Sequence, residues 1–367
     1  MNSQRTVVSG AALMATGAML WSYYSTKKGP GREGEELEPE PVLRVLGVQC
    51  ANVDATSDAE RDANVAAAVA AIKQHPGYDV YVLPEMSSVG YGGDAWLRSV
   101  AALAEDAETG PSRRAFGALA KDMKAVIVYG FPRLDDDGSE EQEQERRPTI
   151  SQTVIGPDGA RVATYDKLHL CGFGDCSEGS VFRRGDHLTA FTVRARGHLF
   201  RVGLLICCEC FLFIHNHTET KTQNCIILLI SFARDPRYAR SPDTDDLRFP
   251  DVWGRLSRDA ECDVILHPSC FPNDGSFATW HTFVKTRAVE NQCYVLSLSR
   301  AHPHFGKSIA VGPAPSTVAA SRTLGTDEAV LPLTVSRREL DSVRAEYGFR
   351  ADRRGDYDYA TLPMGGI

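Results

Sequence analysis

The chain has 367 residues, 43% of them hydrophobic, which is enough to bury a sizeable core in one large or two ordinary domains. Its formal charge is −8 and the body has no long Lys/Arg block, which argues against a nucleic-acid binder. Ten cysteines in a chain this long do not make a small secreted disulfide scaffold, so mostly buried or reactive free thiols in a reducing compartment are expected.

The first segment stands apart. Arg5 is the only charged side chain from Asn2 to Ser25, and "VVSGAALMATGAMLWSYY", residues 7–24, is weakly apolar and near the lower limit for spanning a bilayer. Lys27, Lys28 and Arg32 follow, so a membrane anchor would leave the body on the cytoplasmic side. A cleaved signal, or targeting to mitochondria or another organelle, is the alternative reading, and a wrongly assigned start is a third. "GPGREGEELEPEPV" then reads as a disordered acidic linker, closing an N-terminal part at residues 1–41.

From Val42 the pattern is α/β. "VLRVLGVQCA" is a strand, and "DAERDANVAAAVAAIKQH" an amphipathic helix with Asp58 as its N-cap. "YDVYVLPEM" is a buried strand ending at Pro84-Glu85, followed by a helix in "PSRRAFGALAKDMKA" and a strand in "AVIVYGFPRL". "DDDGSEEQEQERR" is a solvated hairpin tip, and "TISQTVIGPDGARVATYDKLHL" holds two strands around a Pro-Asp-Gly turn. Another hairpin lies in "LTAFTVRARGHLFRVGLLIC"; later strands lie in "CDVILHPS", "CYVLSLSR" and "GKSIAVGP", with a helix in "ATWHTFVKTRAVENQ" between two of them. Strands alternating with helices suggest sheets packed face to face with helices outside.

Four residues carry candidate chemistry. Glu85 ends an apolar run, where desolvation raises a carboxylate toward the range a general base needs; on local sequence alone, a surface glutamate at a strand exit is the favoured reading. Lys167, in "TYDKLHL", sits in an apolar alternation and either pairs with carboxylates, faces a site where an oxyanion develops, or lies on the solvent face. Cys207 ends "RVGLLIC", where a thiol on a strand-to-turn elbow meets substrate; a buried inert cysteine is the alternative. A metal reading, with Cys207 and Cys210 spaced as in a zinc site and His215 and His217 nearby, is weak because the histidines are too close and no second Cys pair exists. Glu178, in "CSEGSVFRRGD", carries no signal by itself.

Taken in order, "LPEMSSVGY", "YDKLHL", a loop glutamate seven residues before Gly185, and "GLLICCE" are far more specific. The series resembles the carbon–nitrogen hydrolase (nitrilase) superfamily, and "WHTFVKTRAVENQCYV", "HFGKSIAVGP" and "RRELDSVRAEYGFRADRRGDY" continue the resemblance over residues 42–357, leaving a tail at 358–367. The resemblance implies an α-β-β-α sandwich, usually a homodimer or larger oligomer. It implies Cys207 as nucleophile, Glu85 as general base and Lys167 as oxyanion stabiliser, supported by Glu178 and the Cys208 backbone N–H. It implies no metal or organic cofactor. "KLHL" and the text after it look closer to amidase branches, and the Cys-Trp-Glu motif of true nitrilases is absent. The expected substrate is a small-molecule linear amide, with an N-carbamoyl amide next and a nitrile third. A reading from another class is a catalytically inactive, membrane-tethered interaction protein.

One block does not fit. "GLLICCE" stops at Glu209 and "LRFPDVWGRL" resumes at Leu247; removing residues 210–246 yields the continuous "GLLICCELRFPDVW". "CIILLISF" within the block is too apolar for an exposed loop. The block is therefore read as a retained intron or gene-prediction error, with a genuine lid or partner-binding insertion as the alternative. The roles of Cys171 and Cys176 stay open.

Overall fold

The computed structural model describes residues 40–134, 147–172, 177–206, 247, 249–272 and 277–352. The 7–24 segment, the 210–246 block, the 358–367 tail, Cys176, Cys207, Cys208, Cys210, His215 and His217 lie outside the described residues.

Two six-stranded mixed sheets form the centre. The first runs β12-β1-β2-β3-β4-β5, built from β1 (Val42–Gln49), β2 (Val80–Val82), β3 (Val126–Arg133), β4 (Thr149–Ile155), β5 (Arg161–Asp166) and β12 (Ala329–Ser336). The second runs β11-β10-β9-β8-β7-β6, with β6 (Thr189–Ala195), β7 (His198–Leu204), β8 (Val264–Pro268), β9 (Tyr294–Leu298), β10 (Ile309–Val311) and β11 (Arg322–Thr323). In each sheet three central strands are parallel: β1, β2 and β3 in one, β7, β8 and β9 in the other.

Strand periodicity sorts the side chains. Leu43, Val45, Val80, Val82, Val126 and Val128 join one core together with Val202, Leu204, Leu296 and Leu298 of the second sheet. A side chain at Gly47 would meet Leu298 and Leu296 at 3.0 and 3.3 Å, so this is the face the two sheets share. The alternate residues Leu46, Tyr81, Ile127 and Tyr129 pack under α1 (Asp58–Lys73) and α3 (Pro111–Met123), through Val65, Ile72, Phe116 and Leu119. On the second sheet, α4 (Pro250–Arg258) and α5 (Phe277–Asn291) bury Trp253 and Trp280 completely. The layers are thus α-β-β-α, as the resemblance implies.

Four features depart from the sequence reading. The N-cap of α1 is Ser57, whose Oγ accepts from the Glu60 N–H at 3.4 Å, and Asp58 is the first helical residue. Glu60 Oε2 accepts in turn from the Thr56 N–H at 2.8 Å and from the Ser57 hydroxyl at 3.1 Å, which ties the residues before the helix to its first turn. Sequence patterning passes over α2 (Asp94–Val100), α6 (Arg337–Tyr347) and the edge pairing of β12 with β1. Among the described residues no helix is long and apolar enough to cross a membrane.

The turn after β2 is stapled to β3. Ser88 N–H donates to the Gly130 carbonyl, and the Ser87 hydroxyl bridges the carbonyl and N–H of the same glycine, each at 3.1 Å. A methyl group at Gly130 would lie 2.5 Å from Met86 N and 2.7 Å from Pro84 O, both backbone atoms. Gly130→Ala should therefore destabilise the fold by about 2 kcal/mol in urea titration. Gly325→Ala, with nothing within 4 Å of the added carbon, should stay within about 0.5 kcal/mol of wild type. Equal midpoints for the two variants would contradict the close approach.

Candidate active site

Ligands of parallel sheets gather at the carboxyl ends of the strands, and the candidate residues lie there. Glu85 is three residues past the end of β2, Lys167 directly follows β5, and Cys270 is two residues past β8. Ile206, which directly precedes Cys207, is fully buried just beyond β7.

Each position has a local cause. Asp166, the last residue of β5, accepts from Ser151 Oγ at 2.6 Å and pairs with Arg133 Nη2 at 2.5 Å. The Lys167 N–H donates to Ile150 O, and its carbonyl accepts from the Gly185 N–H at 2.9 Å. The strand end is thus clamped on both sides, and the Lys167 side chain is directed inward with no exposure. Glu178 opens a single 3-10 turn, Glu178–Ser180. Its N–H donates to Cys171 O at 3.0 Å, while the Cys171 N–H donates back to Glu178 Oε2 at 2.7 Å.

The centre is an ion cluster. Lys167 Nζ lies 2.9 Å from Glu85 Oε1 and 2.9 Å from Glu178 Oε1, and all three side chains have zero exposure. Glu85 Oε2 accepts the Cys270 N–H at 2.9 Å, and the Cys270 thiol reaches Glu85 O at 3.5 Å. Tyr91 donates its hydroxyl to Glu178 Oε1 at 2.5 Å. Burial drives Glu85 upward from the ordinary carboxylate range; the Lys167 charge opposes this and the Glu178 charge adds to it. Burial also lifts Glu178, again against Lys167. The Cys270 thiol is pushed far up by burial and then by Glu85, so it stays protonated. His267 is held neutral, its pKa pushed down to about 3 by burial and then by the Lys167 charge. Its Nδ1 bonds Ser297 Oγ at 2.7 Å, and that oxygen also accepts the Trp280 Nε1–H at 2.8 Å.

The structure brings together three of the four residues singled out in the sequence: Glu85, Lys167 and Glu178. Cys207 and Cys208 lie outside the described residues. Sequence reasoning passed over Tyr91, although it closes the quoted "LPEMSSVGY", because nothing local marks a buried tyrosine as a carboxylate partner. It also left open Cys171, whose contribution to Glu178 is a backbone N–H that any residue supplies. Among the described residues no group of three His, Cys, Asp or Glu side chains is placed to hold a metal ion.

Residues 47–213 match the carbon–nitrogen hydrolase family model, a span that includes Glu85, Lys167, Glu178 and Cys207 and ends inside the 210–246 block. That span, a little under half of the chain, is a carbon–nitrogen hydrolase domain, and the relatives it matches are hydrolases of the amidase type. The chain is 22% identical to the 2-oxoglutaramate amidase of Paenarthrobacter nicotinovorans over 283 residues, covering 76% of this chain and 79% of that one. It is 23% identical to the omega-amidase NIT3 of Saccharomyces cerevisiae, covering 78% of this chain and 84% of that one. The crystal structure of Saccharomyces cerevisiae Nit3, a member of branch 10 of the nitrilase superfamily, superimposes with a TM-score of 0.61 at 21% identity, covering 85% of this chain and 96% of that one. That likeness shows the shared fold.

A raised folded-state value gives a defined pH signature. Between the ordinary 4.5 and about 8, folded Glu85 holds a proton that the unfolded chain has released, so its contribution to stability falls as pH rises. Glu85→Gln removes that contribution. The stability of wild type relative to Glu85→Gln should drop by up to about 1.4 kcal/mol per pH unit across this window. His267 titrates in the opposite sense but is common to both proteins and cancels in the difference. Urea midpoints at several pH values measure it, and a flat or rising difference would show that Glu85 is not strained by burial.

Proposed function

We propose that the chain hydrolyses a small linear amide to a carboxylic acid and ammonia through a thioester on Cys207. The observation that carries this reading is the buried Lys167 ammonium bridging Glu85 and Glu178 at the strand ends. Amidases among the relatives support the amide class.

The steps follow from the charges. Glu85 takes the Cys207 thiol proton, and the sulfur attacks the amide carbonyl carbon. Negative charge develops on the carbonyl oxygen, where Lys167 and the Cys208 N–H stabilise it; one such donor is typically worth about 3 kcal/mol of barrier. The C–N bond breaks as the proton passes from Glu85 to the leaving nitrogen, and ammonia departs. A carboxylate then activates water, which attacks the thioester; the acid leaves and the thiol is restored.

The 210–246 block belongs to the same proposal: it is absent from the mature protein. Ile206 and Leu247, which flank the undescribed stretch, are both fully buried in one core. The Leu247 carbonyl accepts from Arg287 Nε at 3.1 Å. Phe249 stacks on His169 with ring centroids 4.1 Å apart, two residues beyond Lys167. The chain thus re-enters beside the site and continues at once into α4 at Pro250.

Ammonia release from a panel of short linear amides tests the activity. Cys207→Ala should lower kcat/KM by more than about 10³-fold, in the range found for removing a nucleophile. Carbon dioxide release from N-carbamoyl substrates, or acid from nitriles with the amides inert, would replace the proposed substrate class. No turnover of any of these by the continuous "ICCELRFP" form would overturn the reading. Sequencing the mature transcript between the codons for Arg201 and Trp253 tests the block: the codons for 210–246 should be missing. Their presence would show a real insertion at the elbow.

A further inference from the structure

The two carboxylates around Lys167 are not equivalent. Two carboxylates share one ammonium in a water-excluded site, a setting in which one acid tends to keep a proton near neutral pH. Which one keeps it depends on the hydrogen bonds each anion receives. Among the described residues Glu85 accepts from Lys167 Nζ and the Cys270 N–H. Glu178 accepts from Lys167 Nζ, the Cys171 N–H and, in addition, the Tyr91 hydroxyl. Donors that point at a carboxylate favour its charged form.

Tyr91 is built to stay there. Its N–H donates to Asp54 Oδ1 at 2.9 Å, and its carbonyl accepts from Arg300 Nη1 at 3.1 Å. Arg300, itself buried, pairs with Asp54 and with the Asn52 carbonyl. The ring lies against Trp96, whose indole N–H donates to Ala55 O at 2.9 Å.

Resting on the reading of this cluster as the hydrolase centre, we propose that Tyr91 is a positioning residue that keeps Glu178 ionised, so that Glu85 is the carboxylate that exchanges the proton. An ionised Glu178 neutralises Lys167 and leaves Glu85 a strong base. A protonated Glu178 leaves Lys167 paired with Glu85 alone, and the base weakens. The groups facing Glu178 are Lys167 and Cys171 from the loop after β5 and Tyr91 from the turn after β2. Those facing Glu85 are Lys167, Glu178 and Cys270 beyond β8, while His267 on β8 faces Lys167. Asp54 and Arg300 act one step further out, on the Tyr91 backbone.

Tyr91→Phe keeps the ring against Trp96 and removes only the donor. Two readouts on the full chain test it: the pH dependence of kcat/KM for amide hydrolysis, and an infrared titration of the protonated-carboxyl band, which needs no turnover. In Tyr91→Phe the Glu178 carboxyl should take its proton about one pH unit higher, the shift expected for losing a hydrogen bond to a charged group, and kcat/KM should fall relative to wild type below that pH as the Glu85 base weakens. A second carboxyl should then protonate within the infrared titration. Glu178→Gln is the companion variant: one protonation step should vanish and Glu85 should titrate lower than in wild type, and adding Tyr91→Phe to it should change nothing further. Coincident wild-type and Tyr91→Phe titrations, or a Glu85 that titrates higher in Glu178→Gln, would overturn the proposal. An infrared shift without amide hydrolysis by wild type would refute the functional reading and leave the role of Tyr91 standing.

Discussion

An ammonium with no exposure, held 2.9 Å from each of two equally buried carboxylates, is the constraint around which the rest of the molecule is arranged. Desolvating three charges is expensive, and the Coulomb attraction offsets it only where the geometry is fixed and the remaining lone pairs are satisfied. The fold supplies both conditions. The sheets bring the ends of β2, β5 and β8 to one region, and backbone N–H groups of Cys171 and Cys270 fill the outer oxygens of Glu178 and Glu85. The Asp166–Arg133 pair and the Ser151 and Thr149 hydroxyls hold the strand from which Lys167 projects.

The same arrangement separates stability from activity. A single ion pair with one carboxylate would satisfy Lys167; the second carboxylate adds burial strain and gains reactivity, as functional sites commonly do. Apolar packing around the cluster makes this tolerable. Shared inter-sheet residues such as Val82, Val128 and Leu204 exclude water from the strand ends, which strengthens every charge interaction there. The neutral His267 on β8 adds no competing positive charge beside Lys167.

Much of this was legible in the sequence, for physical reasons that differ by element. Long strands rich in β-branched residues, such as Val126–Arg133 and Thr149–Ile155, announce themselves as short runs bounded by turn-forming or charged segments. Of the four residues taken in order, Glu85, Lys167 and Glu178 meet in one buried cluster, and Cys207 lies outside the described residues. Glu178 was invisible by itself: its burial depends on a 3-10 turn and on a reciprocal bond with Cys171, neither of which leaves a periodic trace. Tyr91 was missed because its partner lies 87 residues away in sequence. The Ser57 cap was displaced by one residue since Ser57 and Asp58 both suit the position, and only the backbone decides between them.

The central claim is that the buried Glu85–Lys167–Glu178 cluster serves a nucleophile at Cys207. Intact-mass spectrometry of the protein acid-quenched during turnover of a slow amide substrate, followed by peptide mapping, tests it most directly. The account predicts an added mass equal to the acyl group less one hydrogen, located on the peptide that carries Cys207. An acyl group on any other cysteine, or hydrolysis that proceeds with every cysteine unmodified, would contradict it.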